Sequence, residues 1–176
     1  MTEEQELLRL ASKLNTKALA EIYDTYSPGI YRYSMRLLGD ESLAEDCTAD
    51  TFARFLKSLQ ERRGPRDSLQ AYLYRIAHNW IVDSYRRNEN ATELSDALRS
   101  EADVPEEEAA KRIRQKQVRA AIRHLTPDQQ QVISLKYLEE WSNEEVARVM
   151  KKPVGAIKSI QHRALRSLYK LLEEKS

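Results

Sequence analysis

Glycine and proline together supply only nine of the 176 residues, four and five respectively, and this scarcity limits the fold more than any other feature. A many-stranded sheet turns every few residues and builds its turns largely from these two. The chain instead places apolar residues at helical spacing. Leu7, Leu10, Ala11 and Leu14 form one short stripe, and Leu19, Ile22, Tyr23 and Tyr26 share a face of a helix that starts near Thr16. Ser27-Pro28-Gly29 is expected to interrupt that helix, with Ile30, Tyr33, Leu37 and Leu38 continuing the pattern to Gly39-Asp40. Ser42, with Glu45 three residues on, is the expected cap of the next helix, which carries Leu43, Cys47, Phe52, Phe55, Leu56 and Leu59. The basic loop Arg62 to Asp67 leads into a long helix from Leu69 to about Arg87.

Between Asn88 and Glu108 the character changes. Eight acidic residues, Glu89, Glu93, Asp96, Glu101, Asp103, Glu106, Glu107 and Glu108, stand against a single Arg99, and periodicity fades. A solvated, flexible linker is expected there, dividing a first domain over 1–87 from a second over 109–176. With 32% charged and 41% hydrophobic residues, the fold class is all-α: two small helical domains with modest cores that share burial with partner surfaces. Cys47 is the only cysteine, which excludes a disulfide framework and a cysteine metal cluster and points to a buried structural thiol. The acidic start is not followed by a long apolar run, so neither a signal peptide nor a membrane span is expected, and the expected location is cytoplasmic.

In the second block Ile113, Val118, Ala121, Ile122 and Leu125 keep helical spacing, and Thr126-Pro127-Asp128 starts a helix carrying Val132, Ile133, Leu135 and Leu138. Ser142 caps a short helix with Glu145 closing the box; Val146, Ala147 and Met150 face inward, and Lys151-Lys152-Pro153 breaks it. A longer helix from Gly155 to Leu172 follows, with Ile157, Ala164, Leu168 and Leu171 on one side. A short helix, a tight turn and a longer basic helix is the helix-turn-helix plan, in which the second helix enters the major groove. The net charge of +1 argues alone against a nucleic-acid partner. Its distribution argues for one, because Arg148, Lys151, Lys152, Lys158, His162, Arg163, Arg166 and Lys170 gather on this unit while the acids collect in the linker.

The helix from Tyr72 to Arg87 alternates aromatics with cations. Leu73, Ile76, Ala77 and Trp80 fall on one face, and Tyr72, Arg75, Asn79 and Arg86 fall largely on another. Aromatic faces stack on unpaired bases, arginines follow the backbone, and the Asn79 amide can read an everted base. Core packing of all the aromatics is the competing reading of this helix alone.

Taken together, these segments resemble the sigma factors of bacterial RNA polymerase, in particular the small extracytoplasmic-function group. Ala44-Glu45-Asp46-Cys47-Thr48-Ala49-Asp50-Thr51-Phe52, followed by Leu69 to Asn79, is similar to the family's first domain. Leu125-Thr126-Pro127, Tyr137-Leu138-Glu139 and Trp141 to Ala147, leading into Pro153 to Ser159, is similar to its last. The resemblance implies a promoter-recognition subunit with core RNA polymerase and promoter DNA as partners, and an anti-sigma protein as a candidate third.

It implies polymerase docking through Glu45, Asp46, Asp50 and Phe52. It implies minus-ten recognition and melting through Arg66, Tyr72, Arg75, Asn79, Arg86 and Arg87. It implies minus-thirty-five recognition through Lys152, Lys158, Ser159, His162, Arg163 and Arg166. Two elements one to two helical turns apart require a span of about 50–60 Å at 34–36 Å per turn, and residues 88–108 reach about 65 Å when extended.

Three residues depart from the family pattern. Lys151 stands where glycine is usual at the turn, Ile160 where an arginine is usual, and Gln161 where an apolar core residue is usual. Either the last helix is rotated slightly or one DNA contact is lost. A helix-turn-helix regulator that never joins polymerase, and a sigma-like decoy, are the alternatives. No catalytic constellation, cofactor motif or metal-ligand spacing is found, so no enzymatic activity and no cofactor are expected.

Overall fold

The computed structural model describes residues 2–66, 68–87 and 104–174; most of the acidic segment, and Asp67 of the basic loop, lie outside them. Among the described residues there are helices and connections but no strand. The two small helical domains meet the all-α expectation.

Four helices form the first domain: α1 (Glu3–Ser12), α2 (Thr16–Leu38), α3 (Glu41–Gln60) and α4 (Leu69–Arg87). Thr2 and Gln5 make a reciprocal capping box on α1, and the Asn15 side chain accepts the Ala18 N–H to start α2. Contrary to the turn expected at Ser27-Pro28-Gly29, α2 runs unbroken through Pro28. An interior proline costs about 3 kcal/mol locally, but Ile22 and Ile30 on either side of it are both fully buried, and that packing holds the helix together. Gly29 has a tertiary reason, since a Cβ there would lie 2.7 Å from the Tyr74 hydroxyl. Gly39 ends α2 in the left-handed conformation, φ 67°.

The next helix is capped by Asp40, whose side chain accepts the Leu43 N–H at 3.0 Å, and not by Ser42. The connection is too short to leave Ser42 outside the helix. Glu4 of α1 in turn accepts the Leu69 N–H at 2.9 Å, securing the start of α4.

The second domain comprises α5 (Glu106–Arg123), α6 (Pro127–Ile133), α7 (Asn143–Met150) and α8 (Val154–Glu174). Helix α5 begins inside the stretch read as linker, because Glu106, Glu107 and Glu108 occupy its first turn. Acidic residues there complement the positive end of the helix dipole. Thr126 with Gln129, and Ser142 with Glu145, form the capping boxes of α6 and α7. A wider π turn, Ser134–Leu138, continues α6, so Leu135 and Leu138 lie on it and not on a regular α-helix. Glu140, in the left-handed region at φ 57°, then redirects the chain into Trp141.

The two domains share one buried core, in which Tyr33, Leu73 and Ile81 belong to the same cluster as Leu135, Val146 and Ile157. Helices α4 and α7 form the centre of the seam. Tyr74 and Trp141 meet edge to face with ring centroids 4.7 Å apart, a geometry worth about 0.5–1.5 kcal/mol beyond the area buried. The Glu139 carboxylate, only 3% exposed, lies 3.3 Å from Arg32 and 3.2 Å from Arg36. Arg36 also donates to the Leu138 carbonyl. Arg123 stacks on Tyr85 at 5.0 Å. Along α2 and α5 the seam opens into a groove of 760 Å³ floored by Met35, Val118, Ile122 and Leu138.

Candidate nucleic-acid interface

Helix α3 buries Ala44, Cys47, Thr48, Thr51, Phe55 and Leu59, which turns the opposite face to solvent. Glu45 and Phe52 lie on one edge of that face, Asp46 and Asp50 on the other, with Ala49 and Ala53 between them. Phe52 packs edge to face on Tyr23 at 5.0 Å, and Tyr23 is itself 48% exposed. Asp50 pairs with Arg54 at 2.7 Å. Beside the acids, Asp46, Ala49, Asp50, Ala53 and Trp80 line a shallow depression. Acidic edges around a strip of alanines suit a basic helix, since small side chains admit close approach and the carboxylates accept from arginines. All four residues expected for docking therefore share one face.

In α4 the core side carries Leu69, Leu73, Tyr74, Ala77, His78 and Ile81. Tyr72, Arg75, Asn79 and Arg86 project from the opposite side as one stripe. Asn79 and Arg86 are exposed, whereas Tyr72 and Arg75 are half-buried. Tyr72 has its ring edge to face with Phe55 at 6.1 Å, so part of it is core. Arg75 donates through Nε to the Val149 carbonyl at 2.9 Å. Arg87 leaves the stripe and lies over the Trp80 ring at 5.5 Å. Arg66 is exposed in the loop before α4. Of the face expected to be core, Leu73 and Ala77 are fully buried while Ile76 and Trp80 are only half-buried. Tyr74, 4% exposed, takes the larger share because the second domain covers it.

The helix-turn-helix is formed by α7 and α8. Lys151 sits between them with φ 55° and ψ 45°, the left-handed conformation that glycine adopts without strain. On α8, Ile157, Ile160 and Ala164 face the core. Lys158, Ser159, His162, Arg163 and Arg166 are exposed on the other side. The helix is therefore rotated so that Ile160, 8% exposed, is a core residue. Gln161 lies at the surface edge and its amide donates to the Tyr137 hydroxyl at 2.8 Å. Lys152 stands apart from the α8 set, 3.9 Å from Asp128 of α6. Gly155, in the first turn of α8, lies on the same exposed side, and a Cβ there would touch nothing within 4 Å. Its only signal in the sequence is a glycine in the first turn of a helix.

Two buried titratable groups flank these surfaces. The Cys47 thiol is fully buried and burial pushes its pKa up to about 11, in keeping with a structural role. His78 lies between the Tyr33 hydroxyl, 2.9 Å from Nδ1, and the Pro127 carbonyl, 3.0 Å from Nε2. A carbonyl only accepts, so Nε2 carries the proton and Nδ1 accepts from Tyr33. Burial pushes the imidazole pKa down to about 4, against a smaller upward pull from the Pro127 carbonyl and Asp128. Among the described residues no cluster of three or more His, Cys, Asp or Glu side chains is placed to hold a metal ion. No described helix is long and apolar enough to cross a membrane.

Two family models match the chain in order. Sigma-70 region 2 covers residues 22–91 and so contains α3 and α4. Sigma-70 region 4 covers 115–168 and contains the helix-turn-helix. The chain is 32% identical over 173 residues to the ECF RNA polymerase sigma factor BldN of Streptomyces coelicolor, covering 96% of this chain and 66% of the relative. It is 26% identical to the ECF RNA polymerase sigma factor SigX of Bacillus subtilis, covering 86% and 82%. In fold it is similar to CnrH, solved in complex with the cytosolic domain of CnrY, with a TM-score of 0.69, 23% identity and 97% of each chain covered. With both regions present on one all-helical chain, in family order and at this spacing, the protein belongs to the extracytoplasmic-function group of the sigma-70 family, the sigma factors that direct RNA polymerase to promoters.

Proposed function

We propose that each of the three exposed faces carries one part of promoter recognition. The α3 face, with Glu45, Asp46, Asp50 and Phe52, docks on a basic helical element of core RNA polymerase. Residues 1–87 read and melt the minus-ten element through the α4 stripe. Arg66, Arg75, Arg86 and Arg87 neutralise phosphates there, Tyr72 stacks on an unpaired base, and the Asn79 amide bonds the edge of an everted one. Residues 109–176 read the minus-thirty-five element, with α8 in the major groove. Lys158, Ser159, His162, Arg163 and Arg166 face base edges and phosphates, and Lys152, apart from them, meets a flanking phosphate. Residues 88–108 connect the two readers.

The observation that supports this reading best is the α4 stripe. Tyr72, Arg75, Asn79 and Arg86 stand in one line on the side of α4 opposite its buried face, with Asn79 and Arg86 exposed there. DNA opening then needs no reacting group on this chain. Binding energy toward the unpaired strand shifts the duplex equilibrium, and polymerase performs the synthesis.

Run-off transcription with purified core polymerase, this protein and genomic DNA fragments is the test. Transcripts that begin downstream of a shared two-part motif are expected. Polymerase binding without specific transcripts would favour the decoy reading, and absence of polymerase binding would overturn the docking assignment.

A further inference from the structure

Helix α8 is held in its domain largely by apolar contacts. Ile157 and Ala164 are fully buried, Ile160 is 8% exposed, and Leu168 packs at the edge of the same face, against α5, α6 and α7. Such contacts hold a helix down without fixing its rotation closely, because burial is non-directional. Rotation matters more for a helix that reads bases than for a structural one. Side-chain tips lie about 5–6 Å from a helix axis, so a turn of about 10° moves them by about 1 Å. That is enough to break a hydrogen bond, whose useful range spans only about 0.5 Å.

A directional contact stands at the edge of this apolar face. In the half of α8 assigned to DNA, the Ser159 hydroxyl turns back to the Gly155 carbonyl of the same helix at 3.2 Å. The Gln161 side chain instead crosses to another element, its Nε2 donating to the Tyr137 hydroxyl at 2.8 Å. Tyr137 belongs to the π turn Ser134–Leu138, in which Ser134 and Leu135 are fully buried. The backbone beneath the ring is thereby anchored, while the ring itself is 51% exposed. A π turn carries one residue more than an α turn and gives its side chains directions that an α-helix would not. The bond also accounts for the two departures on α8. Ile160 joins the buried face, and Gln161, where the group usually places an apolar residue, borders that face and is tied down by its amide.

Lys158 and Gln161, three residues apart, are neighbours on one side of the helix. Lys158, Ser159, His162 and Arg163 turn with it as one body, so whatever fixes Gln161 fixes the angle at which those four meet base edges. We propose that Tyr137 and Gln161 are positioning residues of the minus-thirty-five reader: their hydrogen bond sets the rotation of α8, and with it the base preference of this protein at that element. Neither side chain needs to touch a base. This inference rests on the assignment of α8 to the major groove. It adds that specificity depends on a residue outside the helix-turn-helix, on the turn that precedes it.

The test uses the full chain with core polymerase and a promoter library randomised across the minus-thirty-five element. Tyr137→Phe removes the acceptor and Gln161→Leu removes the donor, each leaving a side chain of similar size. Each should lower discrimination between the preferred element and its single-base variants by about three- to tenfold, the scale of one neutral hydrogen bond. The affected base positions should be the same in both, with melting temperature and minus-ten preference unchanged. The double variant should be no worse than either single one, since both remove one bond. Gln161→Glu should keep the preference, because a carboxylate accepts the Tyr137 O–H and closes the same contact in the opposite sense.

Unchanged base preference in Tyr137→Phe and Gln161→Leu overturns the positioning role. Losses that add in the double variant overturn the bond as their common cause, and so does a Gln161→Glu variant as indiscriminate as Gln161→Leu. A wild type that binds polymerase yet shows no preference at the minus-thirty-five element overturns the assignment of α8 itself, and that failure appears before any variant is made.

Discussion

Arg75 directs its Nε–H at the main-chain carbonyl of Val149, 2.9 Å away, and so joins the middle of the α4 stripe to the last turn of α7. Two roles meet in one guanidinium, and they separate experimentally. Arg75→Ala is expected to lower run-off transcription about tenfold, the scale of one charge-assisted hydrogen bond. It is also expected to speed amide exchange across the seam in the free chain. Faster exchange with undiminished transcription would confine Arg75 to the seam.

The seam should respond to pH through His78. With the two domains packed together its imidazole is neutral, burial pushing its pKa down to about 4 from the ordinary value of 6.5. Tyr33 of α2 and Asp128 of α6 are the titratable groups that act on it. Freed from Pro127, the ring returns toward its ordinary value and takes up a proton more readily. The packing of the seam is therefore at full strength above about pH 6.5 and weakens as the pH falls toward 4, by at most about 3 kcal/mol. Scattering recorded across this range should show expansion on acidification in the wild type. The pH dependence should be largely lost in His78→Gln, and an unaltered profile in that variant would remove His78 as the titrating group.

Lys151 pays a conformational cost that glycine avoids, with φ at 55° and no helix to support it. Lys151→Gly should stabilise the second domain by about 1 kcal/mol, a rise of a few degrees in melting temperature. A lower melting temperature would mean that the lysine side chain holds the turn by contacts that outweigh its backbone strain.

Gly155 offers the opposite experiment. A methyl group there meets nothing within the protein, so Gly155→Ala should stabilise α8 by about 0.5–1 kcal/mol. If DNA packs closely on this side of α8, the same change weakens binding to the minus-thirty-five element several-fold. Gel-shift titration beside a thermal melt separates the two, and a variant both more stable and equally tight would place the DNA elsewhere.

The α3 face predicts a loss confined to polymerase. Asp46→Lys and Asp50→Lys each replace an acid at the surface edge of a helix whose core side is unaffected. Stability should change by about 0.5 kcal/mol or less, while affinity for core polymerase falls at least tenfold. Pull-down or fluorescence anisotropy with purified core enzyme reads the effect.

Much of this protein was legible one helix at a time. The helix start at Thr126, the capping box at Ser142, the buried Cys47, the helix-turn-helix and the grouping of Tyr72, Arg75, Asn79 and Arg86 follow from spacing within single segments, because capping and helical periodicity are local properties. Local signals misled at several places. Pro28-Gly29 reads as a turn until Tyr74 is seen to need the space over Gly29. The acids Glu106 to Glu108 read as linker until the dipole of α5 gives them a place. Ile160 and Gln161 depart from their expected environments because α8 is rotated to bury Ile157 and Ala164, a face that Ile160 joins and Gln161 only borders.

The sequence by itself determined the helical character of both domains, the caps at Thr126 and Ser142 and the residues that α4 and the helix-turn-helix turn away from their own cores. Only the tertiary structure decided that the two domains share one seam, that Glu139 is enclosed between two arginines and that Arg75 is already engaged. Those contacts join residues 49 to 107 positions apart. No periodicity within a segment encodes them; they exist only where packing brings one domain's carbonyls and carboxylate within reach of the other's side chains.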